Sequence, residues 1–196
     1  MNTLDAIAQR RSIRRFKPDL IPEDVLHTIL DAGIQAPSGK NKQPWRFVIV
    51  KEDQRHEMVR ILKEGIAKAK ANGMDPGSSE YTARIMQSAP VSVFVFYSDG
   101  QSPWLPHSID QMIDEVVDIQ SIGAAIQNML LAAQELGVGS LWICDVFYAY
   151  VALSDWLGEK GQMIAAVSFG YPAESPAARS RKSYGELVRV KTPSEK

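Results

Sequence analysis

The chain of 196 residues has a formal net charge of −1 and a hydrophobic fraction of 45%, values typical of an ordinary globular protein. Its 22 Lys and Arg nearly balance its 23 Asp and Glu, so no overall field favours nucleic acid or an acidic membrane. The single cysteine excludes an internal disulfide, and the polar N-terminus is unlike a signal peptide. We expect one soluble, cytoplasmic domain over residues 1–196 with no membrane span.

The elements expected along the chain interleave helices with a few strands. Helices are predicted at residues 3–10 (capped near Thr3 or Asp5), 22–33, 53–71, 79–88, 110–136 and 151–158. Strands are predicted at residues 46–52, 91–98, 140–144 and 162–172. The Pro- and charge-rich residues 172–196 are expected to form a C-terminal arm. Four strands among several consecutive helices favour an α+β fold, a small mixed central β-sheet packed by helices.

The first motif is RRSIRRF, residues 10–16, with four arginines and one serine in seven positions. An extended backbone would point Arg10, Ser12 and Arg14 to one side. Two guanidinium groups and a hydroxyl suit a terminal phosphate. The alternative is a solvated basic stretch, or one that pairs with acids such as Asp19, Glu23 and Asp24.

The second motif is the loop APSGKNKQPW, residues 36–45. Gly39 and Asn41 tolerate unusual backbone angles, and Ser38, Asn41 and the loop amides could bond a polar heterocycle or a sugar chain. The alternative is an ordinary turn that leads into a strand. A third motif, GSLWICD at residues 139–145, could present backbone groups to a ring, although its Trp142 is expected in the core.

Catalytic signatures are absent, because the sequence has no GxSxG, HExxH, CxxC, Walker or GxGxxG motif. We therefore assign no catalytic side chain and expect no metal site. His27 and His56 are placed on helix surfaces, whereas His107 could line a pocket. Cys144 is expected to be a small buried hydrophobe rather than a nucleophile.

Four segments in this order resemble the nitroreductase family of FMN-dependent oxidoreductases, namely RRSIRRF, APSGKNKQPWRFVIV, AAIQNMLLAAQELGVGSLWI and FGYPAESP…RSRKSYGELV. The resemblance spans nearly the whole chain and is closest to the shorter bacterial members. It implies a nitroreductase-like fold in an intertwined homodimer, with FMN at the subunit interface and with termini that embrace the partner.

The resemblance also assigns the residues that bind FMN. The phosphate and the ribityl chain would be held by Arg10, Arg11, Ser12 and Arg14. The loop of the other subunit would lie against the flavin through Pro37, Ser38, Asn41 and Gln43. The strand that passes the isoalloxazine ring would contribute Leu141, Trp142 and Ile143. The basic pair that reaches back to the phosphate would be Arg181 and Lys182.

The implied function is hydride transfer from NADH or NADPH through FMN to a nitroaromatic, a quinone or a similar small acceptor, by ping-pong kinetics. Two alternatives are a flavin-binding sensor or carrier without turnover and a specialised family branch with a different flavin reaction. The chain departs from many members in having Cys144 where they have Gly. A further flavin contact before the strand at residues 91–98 does not align clearly, and Tyr81 and Arg84 are its candidates.

Overall fold

A computed structural model describes residues 2–191, which form seven α-helices and one four-stranded β-sheet. The helices are α1 (Thr3–Gln9), α2 (Glu23–Ile34), α3 (Gln54–Ala71), α4 (Ser79–Ser88), α5 (Ile109–Glu135), α6 (Tyr150–Leu157) and α7 (Tyr184–Leu187). The strands are β1 (Trp45–Lys51), β2 (Val91–Tyr97), β3 (Gly139–Ile143) and β4 (Gln162–Gly170). Short 3-10 helices cover Gly39–Asn41 and Asp145–Ala149.

The sheet has the strand order β1-β2-β4-β3, and all three pairings are antiparallel. The α+β class is confirmed, but the expected mixed sheet is replaced by an antiparallel one. The reason is that β4 inserts between β2 and β3, which run in the same direction. Within the described residues, parallel pairing is limited to one isolated bridge between Ser12 and Ser140.

Helices cover both faces of the sheet. Alternate residues of β2 point to opposite sides, so Phe94 and Phe96 pack with α3, α4 and α6, whereas Val93 and Val95 pack with α2 and α5. Every residue of β2 is buried, which confirms it as a central strand. The result is a three-layer arrangement with one apolar cluster on each side of the sheet.

The long helix α5 is apolar enough to cross a membrane if length and composition alone are considered. Its buried side chains, which include Ile122, Ile126 and Met129, instead pack against α2 and the sheet. This packing is that of a core helix. The N-terminal half of α5 is different, because Ile109, Met112 and other apolar side chains there are exposed.

The N-terminal segment and the start of the C-terminal arm run side by side. Backbone hydrogen bonds join Lys17 N to the carbonyl oxygen of Tyr171 at 2.8 Å and Ala173 N to that of Arg15 at 2.9 Å. The cap of α1 is neither Thr3 nor Asp5, since the Asn2 side chain accepts a hydrogen bond from the Asp5 amide. Asn2 lies one position earlier, where its extended backbone leaves its side-chain oxygen free to accept from the first turn.

Candidate functional site

A cavity of about 350 Å³ lies between the RRSIRRF segment and the C-terminal arm. Its polar lining consists of Ser12 and five arginines, namely Arg10, Arg11, Arg14, Arg179 and Arg181. The alternation expected for an extended segment is incomplete, because Arg11 lines the same cavity as its neighbours. Ile13 does turn inward, and its side chain is buried in the core.

The arginines of this cavity face one another without a counter-charge. Among residues 2–191, no carboxylate forms an ion pair with any of them. The pKa of Arg10 is lowered, first because burial desolvates the guanidinium and then because Arg181 and Arg11 repel its charge. A cavity of this kind suits an anion with several acceptor oxygens, such as a phosphate.

Arg15 faces away from the cavity and pairs with Glu174 in the arm. Its Nε lies 3.0 Å from Glu174 Oε2, and its side chain is 70% exposed. The acids suggested from the sequence, Asp19, Glu23 and Asp24, do not pair with the segment, and Glu23 instead contacts Lys51. The three acids were suggested because they are close in sequence, whereas the acid that contacts the segment, Glu174, is brought there by the folded-back arm.

Glu174 also fixes the backbone of the cationic segment. Its Oε1 accepts hydrogen bonds from the amides of Arg14 at 2.6 Å and Arg15 at 3.2 Å. Burial works to raise the pKa of this carboxyl, but the two amides and the Arg15 guanidinium outweigh it, so the pKa is lowered. Sequence reasoning missed Glu174, and the only available signal was a lone acid in a basic, proline-rich arm.

We expect Glu174→Gln to lower the free energy of unfolding by about 1.5–3 kcal/mol at pH 7, because the hydrogen bonds it weakens are to a charged acceptor. A lowered folded-state pKa stabilises the fold above the ordinary value of 4.5 and stops doing so as pH falls through the folded-state pKa. The gap between wild type and variant in urea unfolding should therefore close at acid pH. Asp19→Asn, at an exposed position, is the control with a change under about 0.5 kcal/mol. A gap that is equal at pH 7 and pH 3 would contradict this role.

The loop before β1, residues 36–44, is here called the Ser38 loop. Pro37, Asn41 and Gln43 are exposed and Ser38 is half-buried, so the loop presents its polar groups outward. Asn41 has a φ of 55°, as its residue type allows, and Lys40 and Gln43 also have positive φ. Gly39 approaches α5 closely, since a Cβ there would lie 2.6 Å from Val117 Cγ1 and that side chain would have to move.

Strand β3 forms one edge of the sheet and leads into the 3-10 helix Asp145–Ala149. Leu141 and Ile143 are buried, so only their backbone groups are available at the edge. Trp142 is 39% exposed, which corrects the expectation that it lies in the core. Its cross-strand neighbour Val167 packs with α5, so Trp142 lies on the α5 face of the sheet at its edge.

Cys144 is exposed rather than buried, which also corrects the sequence-based expectation. The position follows the last residue of β3, where the chain leaves the sheet. The pKa of its thiol is raised, first by desolvation and then by the Asp145 carboxylate. A raised pKa disfavours the thiolate, and that Cys144 is not a nucleophile stays a prediction.

The remaining candidates separate into those near the cavity and those away from it. Arg181 lines the cavity, whereas the neighbouring Lys182 is exposed and does not. Tyr81 and Arg84 are exposed together on α4, with the guanidinium carbon 5.7 Å from the centre of the Tyr81 ring. Among residues 2–191, no group of three or more His, Cys, Asp or Glu could hold a metal ion.

A second cavity of about 760 Å³ lies beside the C-terminal half of α3. Its lining includes Met74 and Trp104, from the connections on either side of α4 and β2, and three aromatic residues that follow Cys144, namely Phe147, Tyr148 and Tyr150. His107 does not line this cavity. Its Nδ1 lies 2.6 Å from Glu115 Oε1, and its Nε2 lies 3.1 Å from the carbonyl oxygen of Ser102, so the ring braces the segment that carries Trp104.

Known proteins resemble this chain in sequence and in fold. The sequence model of the Nitroreductase family matches residues 7–171. The NADH dehydrogenase of Thermus thermophilus is 46% identical over 196 aligned residues that cover 86% of each chain. A nitroreductase from Desulfovibrio desulfuricans, whose crystal structure was solved in complex with FMN, is 32% identical to this chain, with a TM-score of 0.76 and 98% of both chains covered. A BluB-like flavoprotein from Clostridium difficile 630 is 26% identical, with a TM-score of 0.78 over 98% of this chain and 100% of that chain.

Proposed function

The chain belongs to the nitroreductase family, and from that premise we propose that it is an FMN-dependent oxidoreductase that uses NADH or NADPH. The acceptor is a nitroaromatic, a quinone or a similar small molecule, and donor and acceptor bind in turn by ping-pong kinetics. When bound, FMN supplies the redox chemistry, and the protein supplies position and electrostatics. This division of labour agrees with a sequence that has no triad, dyad or metal motif.

The observation that carries the proposal is the arginine cavity. The FMN phosphate would supply the counter-charge that Arg10, Arg14 and Arg181 lack among the described residues. Ser12 and Arg11 add donors at the same place, and charge-assisted hydrogen bonds of this type are the strong ones. Lys182 does not line the cavity, so we keep it only as a residue that approaches the phosphate from the arm.

The ring of FMN would lie along the outer edge of β3 beyond Ser140, where the bridge to Ser12 ends. There the backbone of Leu141 and Ile143, together with the side chain of Trp142, would orient it. The outward groups of Pro37, Ser38, Asn41 and Gln43 would meet the flavin that is held by the other subunit.

A homodimer would cover apolar surfaces that are exposed in the single chain. Exposed apolar side chains concentrate on the N-terminal half of α5, on α1 and on the arm, for example Met112, Ile113, Val116, Leu4 and Leu187. Exposed apolar patches of this kind mark interaction surfaces in soluble proteins. We propose that residues 1–196 form a single domain and that residues 172–196 are its C-terminal arm, which embraces the partner. Residues 192–196 of this arm lie outside the described residues.

The purified protein should be yellow, with a flavin absorption spectrum that bleaches when NADH or NADPH is added and returns with a quinone. Steady-state oxidation of the nicotinamide with an acceptor separates this proposal from a flavin sensor or carrier without turnover. The likeness to a BluB-like flavoprotein supports one alternative, a different flavin reaction. In that case the flavin would be reduced, but nitroaromatics and quinones would not be turned over. A colourless protein that neither binds added FMN nor consumes a nicotinamide would refute the proposed function.

A further inference from the structure

A carboxylate is buried beneath the Ser38 loop. Asp118, on α5, has a side chain that is 0% exposed, and its Oδ2 accepts a hydrogen bond from Lys42 Nζ at 3.2 Å. Its Oδ1 is buried as well, and the Tyr97 hydroxyl of β2 faces the same carboxylate. An ionised carboxylate is costly to bury unless a cation compensates it, so the position of Lys42 is tied to that of Asp118.

The same carboxylate affects the neighbouring end of β2. The pKa of the Tyr97 hydroxyl is raised, first by burial and then by Asp118. Asp114 also approaches Lys42, with 3.8 Å between its Oδ1 and Nζ, but its side chain is 67% exposed. Lys42 therefore bridges one buried and one exposed carboxylate of the same helix face.

The loop that Lys42 belongs to is strained. Lys40, Asn41 and Gln43 have φ values of 53°, 55° and 50°, in the left-handed region that residues with a side chain seldom adopt. Such conformations cost free energy and persist only where the surroundings hold them. The loop therefore needs anchors outside its own backbone.

Ser121, one helical turn beyond Asp118, provides a second anchor. Its hydroxyl oxygen accepts a hydrogen bond from the Gly39 amide at 3.3 Å, and its O–H group donates to the Val117 carbonyl oxygen at 2.9 Å. Within the loop, the Ser38 hydroxyl oxygen accepts from the Gln43 amide at 3.0 Å, which leaves the Ser38 proton to be donated elsewhere. Two residues of the loop, Gly39 and Lys42, are thus bonded to one face of α5.

We infer that Asp118 is a positioning residue for flavin binding, which it serves by holding the strained Ser38 loop through Lys42. The inference rests on the proposed function, in which Ser38 and Asn41 meet the flavin of the other subunit. Asp118 itself is buried beneath the loop and does not contact the flavin. Its ion pair lowers the free energy of the loop conformation that is competent to bind.

The test is a titration of the FMN-free protein with FMN, followed by quenching of flavin fluorescence and by visible circular dichroism. Asp118→Asn keeps the shape of the side chain and removes its charge, and should weaken FMN binding at least fivefold and change the flavin dichroism. The double variant Asp118→Asn with Lys42→Gln leaves no buried unpaired charge, because Asp114, which loses its lysine, is exposed. It should therefore fold readily and still bind FMN at least fivefold more weakly.

Two controls separate positioning from general stability. Asp114→Asn removes the exposed carboxylate beside the same lysine and should leave FMN affinity unchanged. The second control is Leu153→Ala, since Leu153 lies in the apolar cluster on the opposite face of the sheet. It should lower the melting temperature of the FMN-free protein without changing FMN affinity at temperatures where the protein is folded.

Two results would overturn the inference. If the wild type binds FMN and both Asp118 variants, when folded, bind it with the same affinity and dichroism, then the loop does not depend on the ion pair. If the wild type binds no FMN at all, the proposed function fails and the inference fails with it. The first result leaves the proposed function intact, so the two failures are distinguishable.

Discussion

Arg10→Ala and Arg14→Ala are each expected to weaken FMN binding by tenfold or more. Each would remove a proposed charge-assisted contact to the FMN phosphate, worth about 1.5–3 kcal/mol, and about 1.4 kcal/mol corresponds to a factor of ten. The effect should be clear for Arg10, because burial desolvates its guanidinium and less solvent screens its attraction to an anion. The measurement is an FMN titration of the FMN-free protein at one fixed salt concentration.

The Arg10 variant should lose affinity for FMN without losing stability in the FMN-free protein. Because Arg181 and Arg11 repel the charge of Arg10, removing that charge should not lower the free energy of unfolding. A selective loss of affinity without loss of stability would distinguish a binding residue from a structural one.

Arg15→Ala is the matched control, since this guanidinium is exposed and directed to Glu174. It should retain wild-type affinity for FMN. Unchanged FMN retention in both the Arg10 and Arg14 variants would mean that the segment faces solvent.

Phe94→Ala should give the largest loss of stability, about 3–5 kcal/mol. Phe94 lies in the central strand β2, has 0% exposure and packs in the cluster with α3 and α4. Because both neighbouring strands and the helices fix its surroundings, the space left by the ring can collapse only in part. Urea unfolding of the FMN-free protein measures the change.

Phe147→Ala is the control of the same chemistry, because the Phe147 ring is 36% exposed at the rim of the second cavity. Its truncation should cost about 1–2 kcal/mol, since less apolar area returns to water. A loss at Phe94 no larger than that at Phe147 would contradict the assignment of β2 as the centre of the core.

Local patterns in the sequence predicted most of the elements. The strands begin and end within two residues of their predicted bounds, because alternation and apolar runs are local properties of the chain. The family was also predictable, since its four segments are contiguous in sequence, and the match over residues 7–171 confirms it. The cavity residues Arg10, Arg11, Ser12 and Arg14 came from one such segment, whereas Arg179, in the arm, was missed.

Burial at the sheet edge was not predictable in the same way. Trp142 and Cys144 belong to an apolar run, so both were expected inside, and both are exposed. Composition describes the run as a whole, whereas exposure depends on which strand becomes an edge and how far α5 extends over it. Strand order is a property of the assembled sheet and has no local signature.

The sequence alone determined the helices and strands, the family and the presence of the cationic motif RRSIRRF. Only the tertiary structure decided which groups orient that motif and the Ser38 loop. Glu174 accepts from the Arg14 amide across 160 positions of sequence, and Asp118 accepts from Lys42 across 76. Both are ordinary acids in sequence. Each becomes significant because folding shields its carboxylate from water, completely for Asp118 and in part for Glu174, and places amides or a cation beside it. A charge shielded from water must be compensated by the groups that the fold brings near.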